Sequence, residues 1–455
     1  MRYTPHTAAE IDVMLRAVGA ASVDALLAHV PEGLRQRASL ASLPRGIDER
    51  ALRTELASLA ARNRTEALTF LGAGAYPHFI PAAVEQLAGR AEFATAYTPY
   101  QPEVSQGTLQ ATFEFQSAVA ALTGMEVANA GMYDGATAAA EAVLMTQRLR
   151  PNRPLVLLAR ALHPHYREVI ATYLTGIADI ESVEVPYGAD GRTVLPAAEL
   201  LRRASCLVLG YPNVFGVVED LTRAAAAAHA EDCLLVSATG EALALAALRT
   251  PGAAGVDIAI AEGQSLGLPL AYGGPGLGLF ASRERFVRSL PGRLVGETVD
   301  ARGERGYVLT LATREQHIRR ERATSNICTN QGLCAVQVVV YLSLLGRRGL
   351  ANVAERNLRG AHALAERLRG IGTLRFSGPY FNEFVLSIDG ARRRWQRALA
   401  AGVVAGLPLG DWYPELEDAL LLCATELHDA AAMERLAAAL ANDLPPAASR
   451  TEGHS

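Results

Sequence analysis

The sequence predicts an α/β protein in which a large, mainly parallel sheet is followed by a smaller C-terminal α+β domain. Short apolar runs alternate with Ala-rich helical stretches between residues 66 and about 325, as is typical of parallel strands joined by helices. The strand-like runs lie at 154–158, 206–210, 233–236 and 257–260. At about 100–200 residues per domain, a chain of 455 residues is long enough for several domains. We expect an N-terminal helical arm (1–65), a large domain (66–325), a small domain (326–443) and a disordered tail (444–455).

The elements at the two ends of the chain are predicted from caps and periodicity. Thr7 and Glu10 have capping-box spacing before a helix, Ser22 begins a second helix, and an amphipathic helix follows near 49–61. A long helix is expected from near Thr329. The remaining C-terminal elements are predicted as strand segments at 373–376, 383–388 and 419–423, and a helix near 427–443.

The charged residues exclude several classes of function. The 43 basic residues nearly balance 47 acidic ones, so the net charge of -4 argues against a nucleic-acid partner. All 43 basic residues are Arg, and the chain contains no Lys. Because an arginine does not deprotonate, the chain cannot form a Schiff base with pyridoxal phosphate (PLP) or use a lysine base.

The cysteines and the N-terminus predict the compartment. The five cysteines are odd in number, widely spaced and without a C-x-x-C pair, which argues against disulfides and against a metal site. Glu10 and Asp12 lie where a signal peptide needs an apolar run, and we expect no membrane-spanning segment. The sequence therefore predicts a cytoplasmic protein with no metal and no membrane partner.

The segment 96–107 combines two prolines with polar and aromatic side chains. Tyr97, Tyr100, Glu103 and Ser105 would be displayed on a loop that the prolines hold extended, which suits the wall of a binding site. The alternative is a surface loop that caps the following helix.

Two turns that precede helices have both a binding and a structural interpretation. The turn at 131–137 could cradle a phosphate at a helix N-terminus, but Asp134 would cap the helix itself and repel an anion there, so capping is the better interpretation. His163 and His165 have a spacing that could suggest metal. Without a third ligand, however, packing in a cleft or at the surface is favoured.

Two further segments are candidates for contacts. The glycines of 261–278 allow close approach of the backbone, either to a ligand or to another subunit. The segment 314–326 concentrates four arginines, which fits either a solvated charged helix or binding of an anion or partner.

Five motifs together resemble the glycine dehydrogenase (decarboxylating) family, the P-protein of the glycine cleavage system. They occur in family order, and the resemblance covers about residues 1–443. In one form of this family the enzyme is split into two chains, and the sequence resembles the alpha chain of that form, subunit 1. The motifs are AYTPYQPEVSQG, YDGATAAAEA, GYPNVFGVVED, GQSLGLPLAYGGPG and REQHIRRERATSNICTNQ.

The resemblance implies a PLP-dependent fold of the aspartate aminotransferase type, but with a retired active site. In the cofactor-bearing beta chain of the family a lysine forms the Schiff base, and Gln264 falls at that position here. Asp134 falls at the phosphate cradle. Asn213 and His163 would be relics of groups that approach the cofactor in active relatives.

The resemblance also implies the activity and the partners. The complete oxidoreductase would decarboxylate glycine at PLP on the beta chain and pass the aminomethyl group to the lipoyl arm of H-protein. The alpha chain would carry no cofactor and be inactive alone. It would contribute Tyr97, Tyr100, Glu103 and Ser105 to a shared active site. The alternative is a purely structural or docking subunit with no residue in that site.

Overall fold

The computed structural model describes residues 6–38, 40, 42–94, 97–177, 179–325 and 327–441, and the chain divides into two units, 1–65 and 66–455. The predicted tail 444–455 and residue Ala96 of the predicted loop lie outside the described residues. The first unit contains helices α1 (Ala8–Ala17), α2 (Val23–Leu26), α3 (Glu32–Arg37) and α4 (Glu49–Ala60). Thr7 and Glu10 form the predicted capping box, and Ser22 caps α2.

A seven-stranded sheet organises most of the second unit. Its strands are β2 (Val127–Ala128), β3 (Leu155–Ala159), β4 (Glu181–Val185), β5 (Ala204–Gly210), β6 (Leu234–Thr239), β7 (Ile258–Glu262) and β8 (Gly278–Ser282). The order is β2-β8-β7-β6-β5-β3-β4, in which the strands from β7 to β4 pair in parallel and β8 pairs antiparallel with both of its neighbours, β7 and β2. Strands β3, β5 and β6 are buried along their whole length, as expected for central strands of a sheet covered on both faces.

Helices cover this sheet and connect its strands. They are α5 (Ala82–Ala88), α6 (Gln106–Thr123), α7 (Gly135–Leu149), α8 (Pro164–Leu174), α9 (Ala198–Arg203) and α10 (Leu221–Ala230). Their Ala-rich faces and the strands form one large hydrophobic core. The predicted α/β class with a mainly parallel sheet is confirmed.

Smaller sheets complete the unit. An antiparallel hairpin joins β9 (Leu294–Val299) and β10 (Arg305–Thr310), and a short parallel pair joins β1 (Leu68–Thr69) and β13 (Val403–Val404). A four-stranded antiparallel sheet has the order β11-β12-β15-β14. Its strands and the helices beside it are β11 (Thr373–Leu374), β12 (Glu383–Ser387), β14 (Leu407–Pro408), β15 (Ala419–Cys423), α13 (Ala391–Ala400) and α14 (Ala430–Ala441). The predicted domain division at 325/326 stays a prediction.

A long helix joins these regions and is interrupted once. Helices α11 (Gln316–Arg319) and α12 (Gly332–Arg367) follow β10, and α12 is bent at Gly346, whose φ of 59° suits a residue without a Cβ. By length and composition alone α12 is apolar enough to cross a membrane, a test that a core helix also passes, and its buried side chains, among them Tyr341, pack in the large core. It begins at Gly332 rather than near Thr329, because the Asn330 side chain donates to the Ala130 carbonyl (2.7 Å) and holds the preceding segment against the sheet.

Candidate functional site

Gln264, which the resemblance places at the family's lysine position, is held on both sides by hydrogen bonds within its own chain. Gln264 follows strand β7 and is 8% exposed. Its side-chain oxygen accepts a hydrogen bond from the Tyr76 N–H (2.9 Å), and its side-chain nitrogen donates to the Leu268 carbonyl (2.8 Å). An amide cannot form an imine, and here both of its ends are used for packing.

Two carboxylates occupy the N-terminus of helix α7. Asp134 is the N-cap, as the sequence predicts: it accepts from the Thr137 N–H (2.7 Å), and the Thr137 hydroxyl accepts from the Asp134 N–H (3.2 Å). Glu262, at the end of β7, accepts from the Gly135 N–H (2.8 Å). The Gly135 and Thr137 N–H groups, two of the donors that could bind a phosphate at this helix end, are therefore bonded to side chains of the same chain.

Glu262 was not singled out by the sequence. Its second oxygen accepts from the N–H groups of Gln264 (3.1 Å) and Leu277 (3.0 Å). Burial raises the pKa of Glu262 to about 7, and the negative charge of Asp134 adds to this rise, while the three backbone donors oppose it. This carboxyl group therefore changes its protonation state near neutral pH.

The cleft beside Gln264 is nearly filled. Tyr76, His163 and Asn213 line a cavity of only about 30 Å³, which has room for one or two water molecules, whereas ligand pockets span about 300–1,000 Å³. The Tyr76 hydroxyl donates to Glu383 (2.7 Å), and the ring nitrogen Nε2 of His163 is 2.9 Å from the Ala73 carbonyl oxygen.

Asn213 and His163 are engaged within the protein as well. Asn213 donates to the Gly191 carbonyl (2.8 Å) and to Glu219 (2.9 Å). Burial lowers the pKa of His163 to about 4, so its ring is neutral. Among the described residues, no group of three or more His, Cys, Asp and Glu side chains has a metal-binding arrangement.

The cavity is small, and the polar side chains of the cleft are bonded within the protein. For these two reasons the residues of the cleft do not fit a PLP cofactor in this chain.

A buried ionic cluster lies next to this cleft, and sequence reasoning missed it. His78 contacts Glu241 (3.0 Å) and Glu426 (2.8 Å), and its side chain is 2% exposed. Burial alone would lower the pKa of His78, but the two carboxylates raise it to about 10, so the ring is charged at neutral pH. Asn357 adds a hydrogen bond to Glu426 (3.0 Å). The cluster ties the segment before α5 to the segments that follow β6 and β15.

The four predicted catalytic residues differ in exposure. Tyr97 is 82% exposed and Tyr100 is 53% exposed, and Glu103 is exposed as well. Ser105 is buried at the start of α6. The loop is anchored by Gln106, whose side-chain amide donates to the Tyr307 carbonyl (2.9 Å) and accepts from its N–H (2.8 Å).

Arg293 joins the loop to the segment 314–328, a connection not predicted from the sequence. Its guanidinium donates to the Tyr100 hydroxyl (3.3 Å) and to the Cys328 carbonyl (2.5 Å), and it pairs with Glu315 (3.3 Å). The Tyr100 ring also lies edge-on to His317, with ring centroids 5.3 Å apart. A cavity of about 440 Å³ opens beside these residues and is lined by Tyr97 and Arg293 among others.

The arginines of 314–326 have two environments. Arg314 is buried and donates to the carbonyls of Leu290 and Gly292, so its role is structural. Arg319, Arg320 and Arg322 are exposed. The three exposed arginines fit the solvated charged segment that the sequence allowed, and binding of an anion or partner by this segment stays a prediction. Asn326 lies outside the described residues.

Comparison with solved structures defines the class of fold. A sphingosine-1-phosphate lyase of Burkholderia pseudomallei has a TM-score of 0.62 at 18% identity, covering 88% of this chain and 92% of that one. A cysteine desulfurase of Thermococcus onnurineus has a TM-score of 0.61 at 14% identity, covering 83% and 94%. The chain therefore has the fold of PLP-dependent fold-type I enzymes, the aspartate aminotransferase type that the resemblance implied.

Closer relatives define the family. The family model described as "Glycine cleavage system P-protein" matches residues 1–440. The "Probable glycine dehydrogenase (decarboxylating) subunit 1" of Anaeromyxobacter dehalogenans (strain 2CP-C) is 53% identical over 434 residues, which cover 94% of this chain and 97% of that protein. A crystal structure of glycine decarboxylase (P-protein) of the glycine cleavage system, in inhibitor-bound form, has a TM-score of 0.88 at 44% identity and covers 98% of this chain and all of that one. The chain belongs to the glycine cleavage system P-protein family.

Proposed function

We propose that this chain is the cofactor-free alpha subunit of a two-chain glycine dehydrogenase (decarboxylating). A beta chain would carry PLP, and the assembled enzyme would decarboxylate glycine and transfer the aminomethyl group to the lipoyl arm of H-protein. The alpha chain alone would be inactive. The five free cysteines, four of them buried, support a reducing cytoplasm as its location.

The observation that carries the proposal is the contact of Glu262 with the N-terminus of α7. A carboxylate that accepts from the Gly135 N–H takes a donor that a cofactor phosphate would use at the helix N-terminus, and its charge repels an anion. The absence of any lysine removes the group that would form the imine. Under this proposal the chemistry at the substrate carbon would belong to a cofactor on another chain.

What this chain would supply is binding and orientation. The hydroxyls of Tyr97, Tyr100 and Ser105 would hold the glycine carboxylate beside the partner's cofactor, and Glu103 would orient the loop or meet the amino group. The exposure of both tyrosines and the anchoring of Tyr100 by Arg293 support this arrangement, because an aromatic ring that is exposed yet fixed loses little entropy on binding.

One observation favours the alternative that the chain is a scaffold. Ser105 is buried in the isolated chain, and the Tyr100 hydroxyl is already bonded to Arg293. In a scaffold, these groups would fix the loop and never meet the substrate.

Two measurements test the proposal. The purified chain should show no imine absorption after addition of PLP, and borohydride should trap no PLP adduct on an internal residue; such an adduct would refute the cofactor-free assignment. Glycine–bicarbonate exchange should then be measured on assembled complexes that carry Tyr97→Phe, Tyr100→Phe or Ser105→Ala. Wild-type exchange in all three would show that the loop is scaffold and not part of a shared active site.

A further inference from the structure

Residues 72–79 form a segment that contacts both main sheets of the second unit, and we call this segment the strap. The Tyr76 N–H donates to Gln264 (2.9 Å), which follows β7 of the seven-stranded sheet. Glu383 of β12, in the four-stranded sheet, accepts from the Ala73 N–H (2.7 Å) and contacts the Tyr76 hydroxyl (2.7 Å). The strap therefore connects the four-stranded sheet to the carboxyl end of β7.

The strap packs tightly on the four-stranded sheet. Glu383 is paired with Cys423 of the neighbouring strand β15, and both residues are buried. A Cβ at Gly72 would overlap the Glu383 carboxylate and the Cys423 side chain. The cavity of about 30 Å³ beside Glu383 has room for one or two water molecules. In the structure the four-stranded sheet is therefore closed on the strap.

Three carboxylates surround the strap, and a single cation lies among them. Glu241 follows β6, Glu383 is in β12 and Glu426 follows β15, and each side chain is buried or nearly so. Among the described residues that hydrogen-bond to these three groups, the only cation is His78, which contacts Glu241 and Glu426. Ionisation of all three would leave an excess of negative charge in a region with little water, which is unfavourable.

Glu383 is the carboxyl group of the three that has no cationic partner. The other two share the charge of His78, whereas Glu383 contacts only the neutral Ala73 N–H and Tyr76 hydroxyl among the described residues. A buried carboxyl group without a compensating cation favours its protonated form. Charge balance therefore assigns a proton to Glu383 when the sheet is closed on the strap.

The groups that face Glu383 agree with this assignment. Burial raises the pKa of Glu383 to about 7, and the charge of Glu241 adds to the rise, while the hydrogen bonds from the strap oppose it. Burial also raises the pKa of the Tyr76 hydroxyl and of the Cys423 thiol, so both stay neutral near pH 7. His163, which lines the same cavity, is neutral because burial lowers its pKa to about 4.

We propose that the strap and Glu383 form a proton-linked latch, in which protonated Glu383 keeps the four-stranded sheet closed on the strap and ionised Glu383 favours an open state. The contact between Glu383 and Tyr76 can be made with either oxygen as the donor, so loss of the proton changes the charge rather than this bond. The new charge repels Glu241 and draws water into the cleft. The latch is a property of the isolated chain and does not rest on the proposed function.

The direction of the effect follows from the two states of Glu383. In the open state the hydrated carboxyl group has its ordinary pKa of 4.5, whereas in the closed state its pKa is about 7. Closure is therefore strongest below pH 4.5 and weakens as the pH rises from there through 7. Between about pH 5.5 and pH 8, the ratio of open to closed chains should rise about 25-fold.

Two buried thiols make the opening measurable. Cys423 faces the strap beside Glu383, and Cys206 lies in β5 within the large core. Full-length wild type and Glu383→Gln are treated with methyl methanethiolsulfonate at the two pH values, and the rate of modification at each cysteine is measured by peptide mass spectrometry. Glu417→Gln, the same change at an exposed position, is the matched control. The pH dependence of thiol reactivity itself cancels in the ratio of wild type to variant.

The rate for Cys423 in the wild type divided by that in Glu383→Gln should be about 25 times higher at pH 8 than at pH 5.5. Glu417→Gln should behave as the wild type does. Cys423 should also react faster than Cys206 in the wild type at pH 8, because the latch opens without unfolding the large core. Tyr76→Phe removes a hydrogen bond that favours ionised Glu383, so the midpoint of the pH dependence should move to higher pH.

Three outcomes would overturn the inference. An equal ratio of the Cys423 rates in wild type and Glu383→Gln at both pH values would show that Glu383 does not control the opening. Equal rates for Cys423 and Cys206 in the wild type would show that the chain opens only by global unfolding. If Glu383→Gln does not fold, an unmoved midpoint in Tyr76→Phe would contradict the latch by itself. None of these results bears on the proposed function, which concerns the assembled enzyme.

Discussion

Replacing Glu262 by glutamine should change how the stability of this protein depends on pH. Glu262 is the carboxylate that occupies the N-terminus of α7, and burial raises its pKa to about 7 from an ordinary value of 4.5. A carboxyl group whose pKa is higher in the folded state binds its proton more tightly there. The contribution of Glu262 to the free energy of unfolding is therefore most favourable below pH 4.5. This contribution is lost as the pH rises from there through 7.

The size of the effect follows from these two pKa values. Their difference corresponds to about 3 kcal/mol over the full range, of which about 2 kcal/mol falls between about pH 5.5 and pH 8. The amide introduced by Glu262→Gln stays neutral and removes this dependence, although the change weakens acceptance from the Gly135 N–H at a cost of about 1–3 kcal/mol at both pH values. Glu383, whose pKa burial also raises to about 7, is present in both proteins and cancels in the comparison.

The assay is denaturant unfolding of wild type and Glu262→Gln at the two pH values. The free energy of unfolding of the variant minus that of the wild type should be about 2 kcal/mol higher at pH 8 than at pH 5.5. Glu199→Gln, the same change at an exposed helical position, is the control and should show no such difference. If wild type and Glu262→Gln depend on pH in parallel, the Glu262 carboxylate does not titrate at this helix end, and our description of a self-occupied phosphate cradle is wrong.

Three further predictions concern the other groups of the site. Tyr100→Phe in an assembled complex should lower exchange turnover by about 5- to 150-fold, corresponding to about 1–3 kcal/mol for one buried hydrogen bond, and unchanged turnover would count against a role in the reaction. Amide hydrogen exchange in 96–107 and 314–326 should slow on addition of the beta chain, within an interface of at least about 2,000 Å²; unchanged exchange would locate the interface elsewhere. His78→Gln should destabilise the chain by about 3–5 kcal/mol, because it leaves Glu241 and Glu426 buried without a cation, and the loss should be smaller at pH 10 than at pH 7, since the folded histidine loses its proton near pH 10. A small, pH-independent loss in a melting experiment would contradict the ionic cluster.

The sequence predicts the central strands and the Asp134 cap because both depend on local signals. Strands such as β5 and β6 are continuous apolar runs, which a sheet buried on two faces requires. An aspartate three residues before a threonine at a helix start bonds within its own turn. Predicted boundaries differ from the observed ones by up to a few residues, as at the start of α12, where a side-chain bond to a distant carbonyl decides the outcome.

The unpredicted residues act through contacts that are distant in sequence. Glu262 bonds to Gly135, 127 residues earlier, and His78 pairs with Glu426, 348 residues later. Glu262 did carry one signal, since it is the charged last residue of an otherwise apolar strand. Arg293 carried none, because nothing in a balanced, arginine-rich sequence shows which guanidinium will reach Tyr100.

The most direct test of the central claim is a titration of glycine–bicarbonate exchange. The beta chain is kept at a fixed concentration in the presence of PLP, H-protein and glycine, and this chain is added in increasing amounts. The account predicts negligible exchange by either chain alone and a rise to a plateau at a defined ratio of the two chains. Exchange by this chain alone, or full exchange by the beta chain without it, would contradict the account.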